Sequence, residues 1–170
     1  QPMLPLRLFS KRNFSFANLE TLAVYAGLST LTFFVVLFLQ QLSGYSALRS
    51  GLALLPITIV MFFLSPRVGR LSMRHGPRWF MGLGPLVACI AVLGIVHLKP
   101  GFSYWWELLP VLLRFSIGLS MIVAPLTATV LHDAGESDAG IASGVNNGVA
   151  RVAGLLGIAV VGAAVAGPEN

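Results

Sequence analysis

The chain has 170 residues, 56% hydrophobic and only 10% charged, with a formal net charge of +5 and a mean hydropathy of +0.83. Soluble domains carry about 25% charged residues, so most of this surface must face lipid or a partner helix. The 11 basic residues sit between apolar runs rather than along one stripe, which argues against nucleic acid as a partner.

Cys89 is the single cysteine, so no disulfide forms within the chain. The chain opens on Gln1, without the charged and apolar regions and cleavage site of a signal peptide. It closes just past an apolar run, and the expectation is a piece of a longer protein.

Residues 1–13 carry Arg7, Lys11 and Arg12 with two prolines and read as a basic lead-in at a membrane surface. No charge occurs from Thr21 to Leu48. A first helix is expected over 14–42, closed by Gln40, Gln41, Ser43 and Gly44. Ser46 suits the N-cap of a second helix over 47–74, with Pro56 inside it as an expected kink.

Gly76-Pro77 marks a turn, and a third helix is expected over 78–98. Lys99-Pro100-Gly101 is the next turn. Tyr104, Trp105 and Trp106 then supply the aromatic belt that membrane interfaces favour. A fourth helix follows over 103–131, then a short acidic loop from His132 to Glu136, and a fifth helix over 137–166. Residues 167–170 form a tail. A bilayer core of roughly 30 Å takes about 20 helical residues, so each run is long enough to cross, and one membrane domain is expected over 14–166.

The stretch Ser65 to Trp79 orients these spans. It holds four arginines, Arg67, Arg70, Arg74 and Arg78. Basic residues in short loops resist translocation, so this turn belongs in the cytoplasm and the N-terminus of the chain lies there too. By alternation Arg7, Lys11, Arg12 and those four arginines share the inner side, while Arg49 and Lys99 lie outside. The loop at 132–138 falls inside although it has no Lys or Arg.

Within that turn, Gly69-Arg70-Leu71-Ser72-Met73-Arg74-His75-Gly76-Pro77-Arg78 resembles the cytoplasmic loop motif of the major facilitator superfamily. Gly69, Leu71, Ser72, Arg74, Gly76 and Arg78 match it. Met73 stands where the family usually has Asp, and Pro77 where it usually has Arg. Other stretches are similar to the fourteen-span drug:proton antiporters, in family order along nearly the whole chain. They are Pro5-Leu6-Arg7-Leu8-Phe9 leading to Phe14; Phe38-Leu39-Gln40-Gln41 before Gly44-Tyr45-Ser46-Ala47; Gly51-Leu52-Ala53-Leu54-Leu55-Pro56; and Ala139 to Asn147 followed by Arg151 and Gly154.

The resemblance implies an all-α membrane fold, five spans of the six-helix C-terminal half, with the N-terminal half absent. It implies export of small amphipathic compounds in exchange for protons by alternating access, in the cell (inner) membrane. The implied partners are the bilayer, the missing half, a small-molecule substrate and protons. No enzymatic activity and no cofactor is expected. A transporter of another small metabolite, or a non-transporting membrane remnant, stands as the alternative.

Arg114 lies well inside the fourth helix, where an arginine costs roughly 2.5–3.5 kcal/mol and needs a cavity or a partner. It either lines the substrate pathway or snorkels outward to pair with Glu107. Arg151, with Asn147 one turn before it on the same face and Asn146 adjacent, either lines the pathway or clamps two helices by hydrogen bonds. Gln40 closes an outer gate or meets the headgroups. Phe33, Phe34 and Met121 form an apolar binding surface or pack against neighbours. Gly140, Gly144 and Gly148, four residues apart, are expected to pack a helix closely. His75, His97 and His132 are too scattered for a metal site. None of the six acids lies near the expected midplane, which assigns the proton-carrying acid to the missing half.

Overall fold

The structure is a computed structural model and describes residues 6–95, 98–99, 101–134 and 138–166. Residues 1–5 and 135–137, which take in part of the expected acidic loop, the tail and His97 lie outside the described residues, as does the side chain of His132. A short 3-10 turn at Leu6–Leu8 precedes five helices: α1 (Arg12–Gln41), α2 (Ala47–His75), α3 (Pro77–Ile95), α4 (Leu109–Ala134) and α5 (Ala139–Ala166). A π-helical turn, Tyr104–Leu108, opens α4. All five helices are long and apolar enough to cross a membrane, and the fold is all-α.

The helix ends follow local chemistry. Ser46 is extended and its hydroxyl accepts the Arg49 N–H, capping α2. Gly76, at φ 88°, closes α2 in a backbone region that side chains disfavour. Pro77 then starts α3, where a missing N–H costs nothing. At the head of α4, the Ser103 N–H donates to Glu107 Oε1 at 3.0 Å and the Glu107 N–H returns to the Ser103 carbonyl at 2.9 Å. Glu107 thus serves the helix start, satisfying a donor that would otherwise be orphaned.

The chain falls into two compact units, Gln1–Phe33 with Leu126–Asn170, and Phe34–Pro125. In the second unit α3 and α4 meet through glycines. A Cβ on Gly118 would stand 2.6 Å from the Ala88 nitrogen and 2.8 Å from the Gly84 carbonyl; one on Gly84 would stand 2.5 Å from Ile122. Only the absence of side chains lets the two backbones come this near. Leu108 of the π-helical turn and Val111, Leu112, Phe115 and Leu119 of α4 are buried. At one end of the unit Phe102 stacks on Phe38 and Tyr45, and the Arg49 guanidinium lies 3.9 Å over the Tyr45 ring. Trp105 and Trp106 are largely exposed beside this cluster, as the aromatic belt requires.

In the first unit α5 packs on α1 through Gly154 and Gly157. A Cβ on Gly154 would meet Ser29, and one on Gly157 would stand 2.6 Å from the Ala26 carbonyl and 2.8 Å from the Thr30 hydroxyl. Ala142 and Ala153 are fully buried on the same helix. The row Gly140, Gly144 and Gly148, expected to pack, faces open space: a Cβ at any of the three meets nothing within 4 Å. The close contact has moved further along α5 because its register against α1 turns the three glycines outward.

Candidate functional site

Asn146 is the polar link between α1 and α5. Its Nδ2 donates to Thr21 Oγ1 at 2.7 Å and to Asn18 Oδ1 at 3.3 Å. Both acceptors are held in place by their own helix. Thr21 Oγ1 donates to the Ala17 carbonyl and Asn18 Nδ2 to the Phe14 carbonyl, each at 2.9 Å. Their lone pairs are left for the Asn146 amide, so both buried acceptors find a donor, as apolar surroundings demand. Glu20, next to Thr21 in the sequence, keeps its Oε1 buried without a hydrogen-bond partner among the described residues.

The hydrogen-bond clamp considered for Arg151 therefore belongs to Asn146. Asn147 bonds back to the Ser143 carbonyl of its own helix at 3.0 Å. Arg151 is exposed and makes no ion pair among the described residues. Gly140, Gly144, Asn147, Gly148 and Arg151 all lie exposed on α5, and their three- and four-residue spacing puts them on one face. That face has no partner among the described residues.

Arg114 is exposed too. Glu107 is engaged at the helix start, and Arg114 makes no ion pair among the described residues. Ile117, one turn on, is also exposed. The second unit has a groove of about 480 Å³ lined by Ile59, Val60, Phe63, Leu64 and Arg67 of α2 and by Ile117 of α4. Sequence reasoning did not single it out. The signal was the i, i+4, i+8 spacing of Ile59, Phe63 and Arg67, which places them on one helical face.

Of the remaining pathway candidates, Met121 lies in the second unit, its Cβ 3.2 Å from a Cβ built on Gly84, so it packs towards α3. Gln40 is exposed at the end of α1. Phe33 belongs to the first unit and Phe34 to the second; Phe33 is 46% exposed.

The basic turn lies at the surface. Arg70, Arg74, Arg78 and Met73 are exposed. Ser72 is buried and its hydroxyl donates to the Gly69 carbonyl at 2.9 Å. A Cβ on Gly69 would meet Ala124 at 3.5 Å, an ordinary contact. In the first unit Arg7 and Asp138 form an ion pair of 2.8 Å. The lead-in and the start of α5 therefore share one end of that unit.

The chain is similar to membrane exporters along nearly its whole length. It is 32% identical to the cephamycin export protein of Amycolatopsis lactamdurans over 94% of this chain and 33% of that protein. It is 30% identical to the tetracenomycin C resistance and export protein of Streptomyces glaucescens, over 95% of this chain and 30% of that one. It is 28% identical to the multidrug resistance protein Stp of Mycobacterium tuberculosis, over 97% and 30%. The chain thus spans about a third of the length of these relatives. Residues 1–158 match the Major Facilitator Superfamily, and with five membrane-length helices the chain belongs to that superfamily of multi-pass membrane transporters.

Proposed function

We propose that the chain is part of a secondary active transporter that exports small amphipathic compounds in exchange for protons. The observation that carries this reading is the match to the superfamily over residues 1–158, joined to relatives named for export of antibiotics. The geometry supports it. The outward face of α5, with Asn147 and Arg151, and the exposed Arg114 of α4 are polar surfaces on membrane-spanning helices. Such surfaces need a cavity or a partner, and a substrate cavity between the two halves of the complete transporter would meet that need. The two helical halves would rock about a central site near the midplane.

In this reading the chain is five spans of the C-terminal half in the fourteen-span branch, in the inner membrane, with Arg7 and the Arg70–Arg78 turn in the cytoplasm. The exposed glycine row of α5 then packs against the N-terminal half. The test is drug efflux from everted vesicles carrying the complete transporter. Export should follow an imposed pH gradient and stop when the gradient is collapsed. Export that ignores the gradient rules out proton exchange. A carrier that moves no drug at all leaves a transporter of another metabolite or a remnant.

A further inference from the structure

We propose that the groove between α2 and α4 binds the apolar body of an amphipathic anion, so that the compounds this carrier exports carry a carboxylate or comparable acid. The inference rests on the exporter reading above and names its substrate class. The groove walls are Ile59, Val60, Phe63, Leu64 and Ile117, with Arg67 on the rim. The groove is open on its outer side, with about 480 Å³ of space, so it offers one apolar wall to a drug-sized molecule and leaves the other side to be covered by the rest of the transporter.

One arginine, Arg67, lines that space, and a second, Arg114, lies on α4 near the same level. The Arg67 Nη1 donates to the Phe63 carbonyl at 2.6 Å, which folds the guanidinium back along the groove and leaves its other donors free for a ligand. Arg114 is placed by the register of α2 and α4. The Tyr104 hydroxyl donates to the Ala53 carbonyl at 3.0 Å, and Gly69 faces Ala124 further along. The two helices therefore run parallel, and Arg114 falls level with the stretch from Ile59 to Phe63. It shares its exposed face with Ile117, one turn away.

The charge of this unit is one-sided. Between residues 34 and 125 the only acid is Glu107, while Arg49, Arg67, Arg70, Arg74, Arg78, Lys99 and Arg114 are basic. Glu107 already holds the Ser103 N–H. An arginine at membrane depth needs an anionic or polar partner, and among the described residues this unit offers Arg114 none. A ligand acid meets that need, and guanidinium donors bind carboxylates more strongly than neutral acceptors.

The test uses the full-length carrier in phosphatidylcholine vesicles and three fluorescent probes with one apolar body: anthracene carboxylate, anthracenylmethanol and aminomethylanthracene. Binding and pH-driven transport are both measured. The carboxylate should bind tightest and the amine weakest. Arg67→Gln and Arg114→Gln should each weaken the carboxylate about tenfold and shift the alcohol less than about twofold, with Arg67→Lys in between. A wild-type carrier that binds the amine as tightly as the carboxylate overturns the proposal without any variant. So does carboxylate binding untouched in both glutamine variants. Displacement of the carboxylate by added phosphatidylglycerol would make the groove a lipid site and also overturn it. Transport of the amine or alcohol but not the carboxylate keeps the exporter reading and rejects the substrate class. Transport of none of the three rejects the exporter reading, and the substrate class with it.

Discussion

At the scale of single residues, the polar groups divide by what they satisfy. Asn146 satisfies α1, through Thr21 and Asn18. Replacing it with Ala leaves those two acceptors facing an apolar gap. Interhelical hydrogen bonds in membranes are worth about 0.6 kcal/mol on average and up to about 1.7, so Asn146→Ala should lower the unfolding free energy by that order, measured by denaturant titration in detergent. Arg114 satisfies nothing within the described residues, which is the pattern of a group kept for function rather than for the fold. Arg114→Leu in the complete carrier should abolish or redirect export while membrane abundance stays near normal. Normal efflux in the variant would leave the arginine a snorkelling side chain. Glu20 is the acid that tests proton coupling most sharply, because its Oε1 is buried without a partner among the described residues. If the proton-carrying acid lies in the N-terminal half of the complete transporter, Glu20→Gln should leave pH-driven exchange largely intact, and Glu107→Gln and Asp138→Asn likewise. Loss of coupling in Glu20→Gln with substrate binding preserved would move the proton site into α1.

At the scale of helices, close approach is made by specific glycines rather than by glycine spacing as such. Gly118 and Gly84 bring α3 onto α4, and Gly157 and Gly154 bring α5 onto α1. A leucine at Gly118 or Gly157 would have to displace backbone atoms under 3 Å away, and overpacking a tight contact costs typically 1–3 kcal/mol or more. Both variants should lower folded yield and melting temperature strongly. Gly144→Leu is the contrasting case. Its space is open, so it should leave the packing of α5 on α1 intact, and any loss it causes should appear only in the complete carrier. Equal damage to this chain from Gly144→Leu and Gly157→Leu would contradict the register described for α5.

At the scale of the whole molecule, the question is which end faces the cytoplasm. The Arg7–Asp138 pair joins the basic lead-in to the start of α5, so Asp138 lies at the same end as the basic residues before α1. An exposed pair of this kind adds little stability, about 0–1 kcal/mol; its value here is topological. With Cys89 replaced, single cysteines at Met73, Tyr45 and Gly101 should divide under an impermeant thiol reagent on intact cells. Positions 45 and 101 should label and position 73 should not. Met73 is the better inner reporter because it is 76% exposed, whereas neighbouring Ser72 is 3% exposed. The reverse pattern would invert every span.

The amino-acid sequence alone determined the features that depend on composition along the chain. Apolar runs long enough for a bilayer, Ser46 as a cap, Gly76-Pro77 as a turn and the crowding of arginines beside it are all local. The same local character let the ordered family stretches from Pro5 to Gly154 point to the superfamily that residues 1–158 match. What only the tertiary structure decided is rotation about each helix axis. Every span is apolar nearly all round, so no polar face marks which side meets a neighbour, and lipid is as apolar as leucine. That is why the row Gly140, Gly144 and Gly148 could not be told from Gly154 and Gly157, or Asn146 from Asn147, until α5 was set against α1. The groove beside Arg67 was hidden for the same reason: it exists only because α2 and α4 run parallel in one register, fixed by Tyr104 on Ala53 and by Ala124 against Gly69.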